Sequence, residues 1–255
     1  MKPDDMRNPQ TKIIWKLMMQ TNTQCQNDCP GCCNTYLRHQ QPHYRLSLSS
    51  LKNFLSCCVT SGYTIQTLWL NGPGEPLIWK DLQDALRIIR ESKVAEKVFI
   101  ASNGIAVKAV EGLNWDDLDK LRITCYPNQT PQNREALQEI QKTHPKLVFH
   151  PVREFSIRED YGNNAYLPCE CVCEGPTLLN DRIYYYCGPM VIEAIERAKE
   201  AGVEDSRILD VPVEPEFMRD YNPKLRMKLS YCLYCWANKS IPKKVIPHTT
   251  RPTPS

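Results

Sequence analysis

Residues 13–33 read IIWKLMMQTNTQCQNDCPGCC. The first eight, Ile13 to Gln20, are apolar and β-prone, which predicts a buried strand that delivers its end into a cysteine-bearing loop. In that loop Cys25, Cys29 and Cys32 follow the spacing C-x3-C-x2-C, with Cys33 directly after. Three thiolates so placed can each take one iron of a 4Fe-4S cluster and leave the fourth iron open. An open iron can bind and activate a substrate, whereas a cluster with four protein ligands mostly carries electrons. Neighbouring cysteines on an extended loop point in different directions, so Cys33 is expected to take no part. Tetrahedral zinc is the alternative here, and it normally comes with paired C-x2-C halves.

Downstream of this loop the pattern alternates. Ser47 to Val59 predicts a helix capped by Ser47, with Leu48, Leu51, Leu55 and Cys58 at helical spacing. Strands are expected over Ile65 to Leu70, Lys97 to Ala101, Leu121 to Cys125 and Lys146 to His150, with helices over Asp81 to Ser92 and Gln132 to Lys142. Strands alternating with helices argue for parallel βαβ units and an α/β fold. Five or six such units fit, fewer than the eight of a closed barrel. After Glu154 the pattern changes to a short hairpin, with Thr177 to Leu179 and Ile183 to Cys187 around the turn Asn180-Asp181, and then a helix from about Met190 to Ala201. Lys243 to Ser255, rich in proline, threonine and basic residues, is expected to be a disordered tail.

Composition narrows the function. The 255 residues are 42% hydrophobic, enough for a substantial core, and the net charge of +3 marks no strong nucleic-acid or anionic-membrane binder. Neither a signal peptide nor a membrane span is visible, so a cytoplasmic location is expected. Thirteen cysteines in such a setting are better explained by metal ligation than by disulfides.

Two further loops fall at predicted strand ends. Asn71-Gly72-Pro73-Gly74-Glu75-Pro76 combines glycines that let backbone approach a ligand with a carboxylate that can accept from an ammonium group. Ser102-Asn103-Gly104 ends the next strand and offers groups suited to a diol. Each could equally be only a turn. Cys125 and Tyr126 end one strand, and His150, Arg153 and Glu154 end the last. These are candidates for facing a substrate or moving a proton, although cysteine and tyrosine more often pack.

The C-x3-C-x2-C loop resembles the hallmark of the radical SAM superfamily, and Cys29-Pro30-Gly31-Cys32 is similar to the CPGC form of some anaerobic activating enzymes. Gly31 departs from the aromatic residue frequent at that place. The resemblance implies a 4Fe-4S cluster on Cys25, Cys29 and Cys32 whose open iron is chelated by S-adenosylmethionine. Residues 71–76 are similar to the family's GGEP segment, with Pro73 in place of glycine, which implies that Gly72, Gly74 and Glu75 surround the methionine amino group. Ser102 and Asn103 stand where the family often supplies ribose contacts. Over residues 13–154 a partial (β/α)6 TIM-like barrel is implied, after an N-terminal extension at 1–12. An electron donor such as flavodoxin or ferredoxin is implied as partner; no membrane or nucleic-acid partner is expected.

The remaining cysteines resemble a shortened, twitch-type relative of the SPASM domain. That resemblance implies a small cysteine-rich hairpin-plus-helix subdomain at 155–242 with an auxiliary 4Fe-4S cluster on Cys187, Cys232 and Cys235. The fourth ligand is Cys169 or Cys173, with Cys171 a third choice. Zinc remains the alternative metal. Net oxidation of a small molecule is the favoured reaction; modification of a peptide or protein is the second. A non-catalytic zinc scaffold is the contender from another class.

Overall fold

Leu17, Met19, Leu68, Leu70, Val98, Ile100, Leu121, Ile123 and Leu147 recur at alternate positions along five strands, and all are fully buried. Period-2 burial of this kind places one face of a sheet against a hydrophobic core, each leucine contributing about 1.5–3 kcal/mol. The computed structural model describes residues 12–29, 32, 34–126, 129–151, 154–158, 176–184, 192, 196, 198–202, 210–215, 218, 243–247 and 251–252.

In chain order the elements are β1 (Lys12–Ile14), β2 (Leu17–Gln20), β3 (Asn27–Asp28), α1 (Thr35–Gln40), α2 (Leu48–Thr60), β4 (Tyr63–Asn71), α3 (Leu82–Ser92), β5 (Ala95–Ser102), α4 (Val107–Glu111), β6 (Lys120–Cys125), α5 (Pro131–Thr143), β7 (Leu147–Pro151), β8 (Glu154–Arg158), β9 (Thr177–Leu179), β10 (Arg182–Tyr184), β11 (Asp210–Pro212), β12 (Lys243–Pro247) and β13 (Arg251–Pro252). Among the described residues nine strands form one sheet in the order β11-β10-β9-β2-β4-β5-β6-β7, with β1 also on β4. The run from β2 to β7 is parallel, so the loops that leave these strands emerge at one edge.

The expected helices form for local reasons. Ser47 caps α2 by accepting the Ser50 N–H at 3.0 Å, and Thr130 caps α5 by accepting from Asn133, with Pro131 at the first helical position. The short helices α1 and α4 were not anticipated, because five or six residues show too little periodicity.

Three expectations need correction. The strand expected over Ile13 to Gln20 is interrupted at Trp15 and Lys16, although β1 and β2 keep one register on β4, Lys12 opposite Tyr63 and Leu17 opposite Leu68. Trp15 is 60% exposed and carries the break. The hairpin expected to stand in a separate subdomain instead extends the main sheet, because β9 pairs parallel to β2 with Met18 opposite Thr177. Leu178 and Ile183 of that hairpin are buried in the same core as β2 and β4. The tail expected to be disordered contributes β12, antiparallel to β8, and β13, antiparallel to β3. Val245 and Ile246 are β-prone, and an available strand partner overrides the polar composition around them. Of the helix expected over Met190 to Ala201, residues 192, 196 and 198–200 are helical. No helix among the described residues is long and apolar enough to cross a membrane.

Candidate metal and cofactor site

The loops leaving β2, β4, β5 and β6 enclose a cavity of about 200 Å³. Cys25, Cys29 and Cys32 line it from the first loop, and Gly72, Gly74 and Glu75 from the second. Ser102 and Asn103 line it from the third, and Arg122, Thr124 and Tyr126 from β6 and its end. Nine residues singled out in the sequence thus meet at one place.

The first two loops are zipped together by backbone. Thr21 N–H donates to the Asn71 carbonyl at 3.0 Å, Gly74 N–H to the Asn22 carbonyl at 2.8 Å, and Glu75 N–H to the Gln24 carbonyl at 2.6 Å. Asn22 Nδ2 donates to the Glu75 carbonyl at 3.0 Å. A Cβ on Gly74 would lie 2.0 Å from the Gln24 carbonyl oxygen and 2.6 Å from its nitrogen. The glycine therefore serves the approach of one loop to the other, where the sequence suggested approach to a ligand. The Gly72 carbonyl, expected to face an ammonium group, already accepts Asn34 Nδ2 at 3.2 Å and keeps one lone pair for another donor.

Glu75 departs further from expectation. Its carboxylate is 2% exposed. Oε1 accepts the Leu77 N–H at 3.0 Å and Oε2 the Asn103 N–H at 2.7 Å. Burial pushes this carboxyl above its ordinary value, opposed by bonds from Asn103, Leu77 and the Ser102 side chain. The residue ties the second loop to the third. Asn103 in turn accepts from the Ile105 N–H through Oδ1 at 2.9 Å and donates through Nδ2 to Gln26 Oε1 at 3.3 Å and to Cys25 Sγ at 3.7 Å. Gln129 Nε2, buried beneath, donates to the Asn103 carbonyl. Asn22, Asn34, Arg122 and Gln129 were missed in the sequence. The polar run Thr21-Asn22-Thr23, wholly buried directly after a strand, was the available signal for the first.

The cysteines divide by environment. Burial pushes the Cys25 thiol up, while the Asn27 N–H, donating at 3.4 Å, and the Arg38 cation act the other way. Cys29 is buried and its carbonyl accepts the Cys32 N–H at 3.1 Å. Tyr126, on the cavity wall, is held well above its ordinary value by burial first and then by Cys29, Cys32 and Cys25. Cys57 and Cys58 lie in the core on α2. Cys125 is half-buried at the end of β6 and directs Sγ to the Ile123 carbonyl, so of the pair Cys125 and Tyr126 only the tyrosine lines the cavity. Alternation of the strand is the reason. His150 is exposed and does not line the cavity. Among the described residues no three His, Cys, Asp or Glu side chains converge on a single metal ion. Cys33, Arg153, Cys169, Cys171, Cys173, Cys187, Cys232 and Cys235 lie outside the described residues, as does the side chain of Glu154.

No family model matches the chain, and no curated protein does. Solved structures do match. The crystal structure of BtrN in complex with AdoMet and 2-DOIA is 16% identical, with a TM-score of 0.44 over 55% of this chain and 58% of that one. SeMet BtrN in an open conformation is 14% identical, with a TM-score of 0.43 over 68% and 69%. Streptococcus suis SuiB bound to S-adenosylmethionine is 13% identical, with a TM-score of 0.31 over 55% and 39%. This chain thus spans 58% of the length of the first of these structures.

Proposed function

We propose that the chain is a radical SAM enzyme: Cys25, Cys29 and Cys32 hold a 4Fe-4S cluster, and S-adenosylmethionine occupies the cavity beside it. The observation that carries this is the meeting of three cysteines, at spacing C-x3-C-x2-C, with the 71–76 and 102–104 loops around one cavity. The donor set fits such a group, because soft thiolates on three positions suit three irons, and the Asn27 and Asn103 donors on Cys25 favour a charged sulfur. The bound cluster would supply the electron that cleaves the sulfonium, giving the 5′-deoxyadenosyl radical that abstracts hydrogen from substrate.

The chain's own residues do the positioning. The free lone pairs of the Gly72 and neighbouring carbonyls accept from the methionine ammonium. Glu75, engaged on Leu77 and Asn103, keeps the second and third loops at a fixed separation. Ser102 spends its oxygen on the Gly104 N–H at 2.9 Å and on Glu75, which leaves Thr124 and Tyr126 as the cavity's better-placed hydroxyls. Half-buried Tyr126, whose hydroxyl is held above its ordinary value first by desolvation, stays protonated and can donate.

The parallel run β2 to β7 is on this reading part of an open barrel, and Cys187, Cys232, Cys235 and either Cys169 or Cys173 would ligate an auxiliary cluster. The small-molecule substrate of a net oxidation would lose its first electron with the abstracted hydrogen atom and could pass its second to such a cluster, while flavodoxin or ferredoxin would reduce the cluster held by Cys25, Cys29 and Cys32. A peptide substrate is the second choice.

Anaerobic reconstitution with iron and sulfide counting, followed by an assay for 5′-deoxyadenosine, tests the proposal. About eight irons per chain are expected, falling by about four in Cys25→Ala, Cys29→Ala or Cys32→Ala, each of which abolishes 5′-deoxyadenosine. Retained product in Cys29→Ala, or zinc in place of iron, overturns it.

A further inference from the structure

Within the parallel sheet the face opposite the core carries Thr67, Trp69 and Asn71 on β4, Lys97, Phe99 and Ala101 on β5, and Lys120, Arg122 and Thr124 on β6. None of these nine positions is acidic, and three are cationic. The cavity's carboxylate, Glu75, is committed to two backbone N–H groups. Its other arginine, Arg38, donates to the Asn27 carbonyl at 3.1 Å beside the cysteine loop.

Arg122 has a different setting. Its guanidinium lies 4.8 Å from the centre of the Trp69 ring. Trp69 meets Phe99 edge-on at 5.0 Å, and Lys16 and Lys120 lie 5.6 Å from the Trp69 and Phe99 rings respectively. Arg122 is opposite Ala101 in register, whereas Trp69 is opposite Phe99, so the side chain runs back along the sheet, away from the loops of the cofactor site. Ala101 leaves the room for this. Nε of Arg122 is buried and has no partner, and no carboxylate among the described residues pairs with the guanidinium. A guanidinium lying on an indole keeps its in-plane donors available, in the fork geometry that fits an oxyanion bidentately. A half-buried cation of this kind, with its Nε covered, loses hydration that a counter-charge would offset.

We infer that Arg122, seated on Trp69 at the floor of the cavity, anchors an anionic group of the substrate, a carboxylate or a phosphate. The substrate is then a small acid, held by its charged end with its reactive carbon toward the cysteine loop. This rests on the enzymatic function proposed above, and its test separates the two.

Tryptophan emission of the reconstituted protein is titrated with inorganic phosphate and, separately, with succinate at constant ionic strength, and S-adenosylmethionine affinity is measured in parallel. At least one anion should saturate the wild type, and the stronger of the two tells phosphate from carboxylate. Arg122→Gln should weaken that binding at least about tenfold and leave S-adenosylmethionine affinity within about twofold. Arg122→Lys keeps the charge without the planar fork and should fall between, which preserves the test if the glutamine variant fails to fold. Trp69→Phe should remove the emission change while equilibrium dialysis still detects the anion. Unchanged anion binding in Arg122→Gln, no binding to the wild type, or an equal loss of S-adenosylmethionine affinity overturns the assignment. Failure of the wild type to form 5′-deoxyadenosine would instead remove the enzymatic function and leave the anion titration standing.

Discussion

Glu75 Oε2 accepts the Asn103 N–H at 2.7 Å across 28 residues of sequence. This bond joins the loop after β4 to the loop after β5, and it lies at the wall of the cavity that the three cysteines share. Replacing Glu75 with alanine strands two backbone donors that are buried with it. A loss of about 2–4 kcal/mol is expected in urea unfolding, with reduced iron retention after reconstitution.

Gly74 tests how closely the first two loops must approach. Gly74→Ala places a methyl against the Gln24 backbone, which cannot rotate aside, so iron per chain should fall toward the level of the Cys25→Ala variant. Gly112→Ala is the control, since its added Cβ meets nothing closer than 3.5 Å. Its stability should stay within about 0.5 kcal/mol of wild type, by thermal or urea unfolding.

Asn103 reads out on potential. Its amide donates to Cys25 Sγ at 3.7 Å, a bond that favours the more negatively charged, reduced state of any cluster bound there. Asn103→Ala should therefore lower the midpoint potential, by roughly 20–60 mV for a bond worth about 0.5–1.5 kcal/mol. An unchanged potential in redox titration would show that the sulfur does not feel the amide.

Cys58 predicts an alkaline limit. It is fully buried, and burial followed by the neighbouring Cys57 holds its thiol far above the ordinary value of 9.0. The unfolded chain releases this proton near pH 9 while the folded chain keeps it, so its contribution is intact below pH 9 and is lost as pH rises further. Its share of the slope approaches about 1.4 kcal/mol per pH unit. Urea midpoints between pH 8 and 10.5 should fall less steeply in Cys58→Ala than in wild type, and parallel slopes would remove the thiol from the explanation.

The hairpin turn offers a stabilising change. Asn180 and Asp181 have φ of 52° and 54°, as a two-residue hairpin turn requires. Glycine takes this conformation without a Cβ penalty, so Asp181→Gly should raise stability by about 0.5–1 kcal/mol in thermal or urea unfolding. A drop would mean that the Asp181 side chain holds the turn.

Apolar, β-prone runs such as Ile65 to Leu70 and Leu121 to Cys125, alternating with helical segments, sufficed to find the parallel strands, because each run is a property of consecutive residues. The cap at Ser47 is likewise local, formed with an N–H three residues on. The spacing of Cys25, Cys29 and Cys32 is a property of one short loop and was legible without a fold. Only the tertiary structure decided that Glu75 binds Asn103 and not a ligand, that β9 lies on β2, and that Arg122 rests on Trp69. These are contacts between residues far apart in the chain, settled by which buried donors and rings the sheet register brings side by side. No local pattern encodes that.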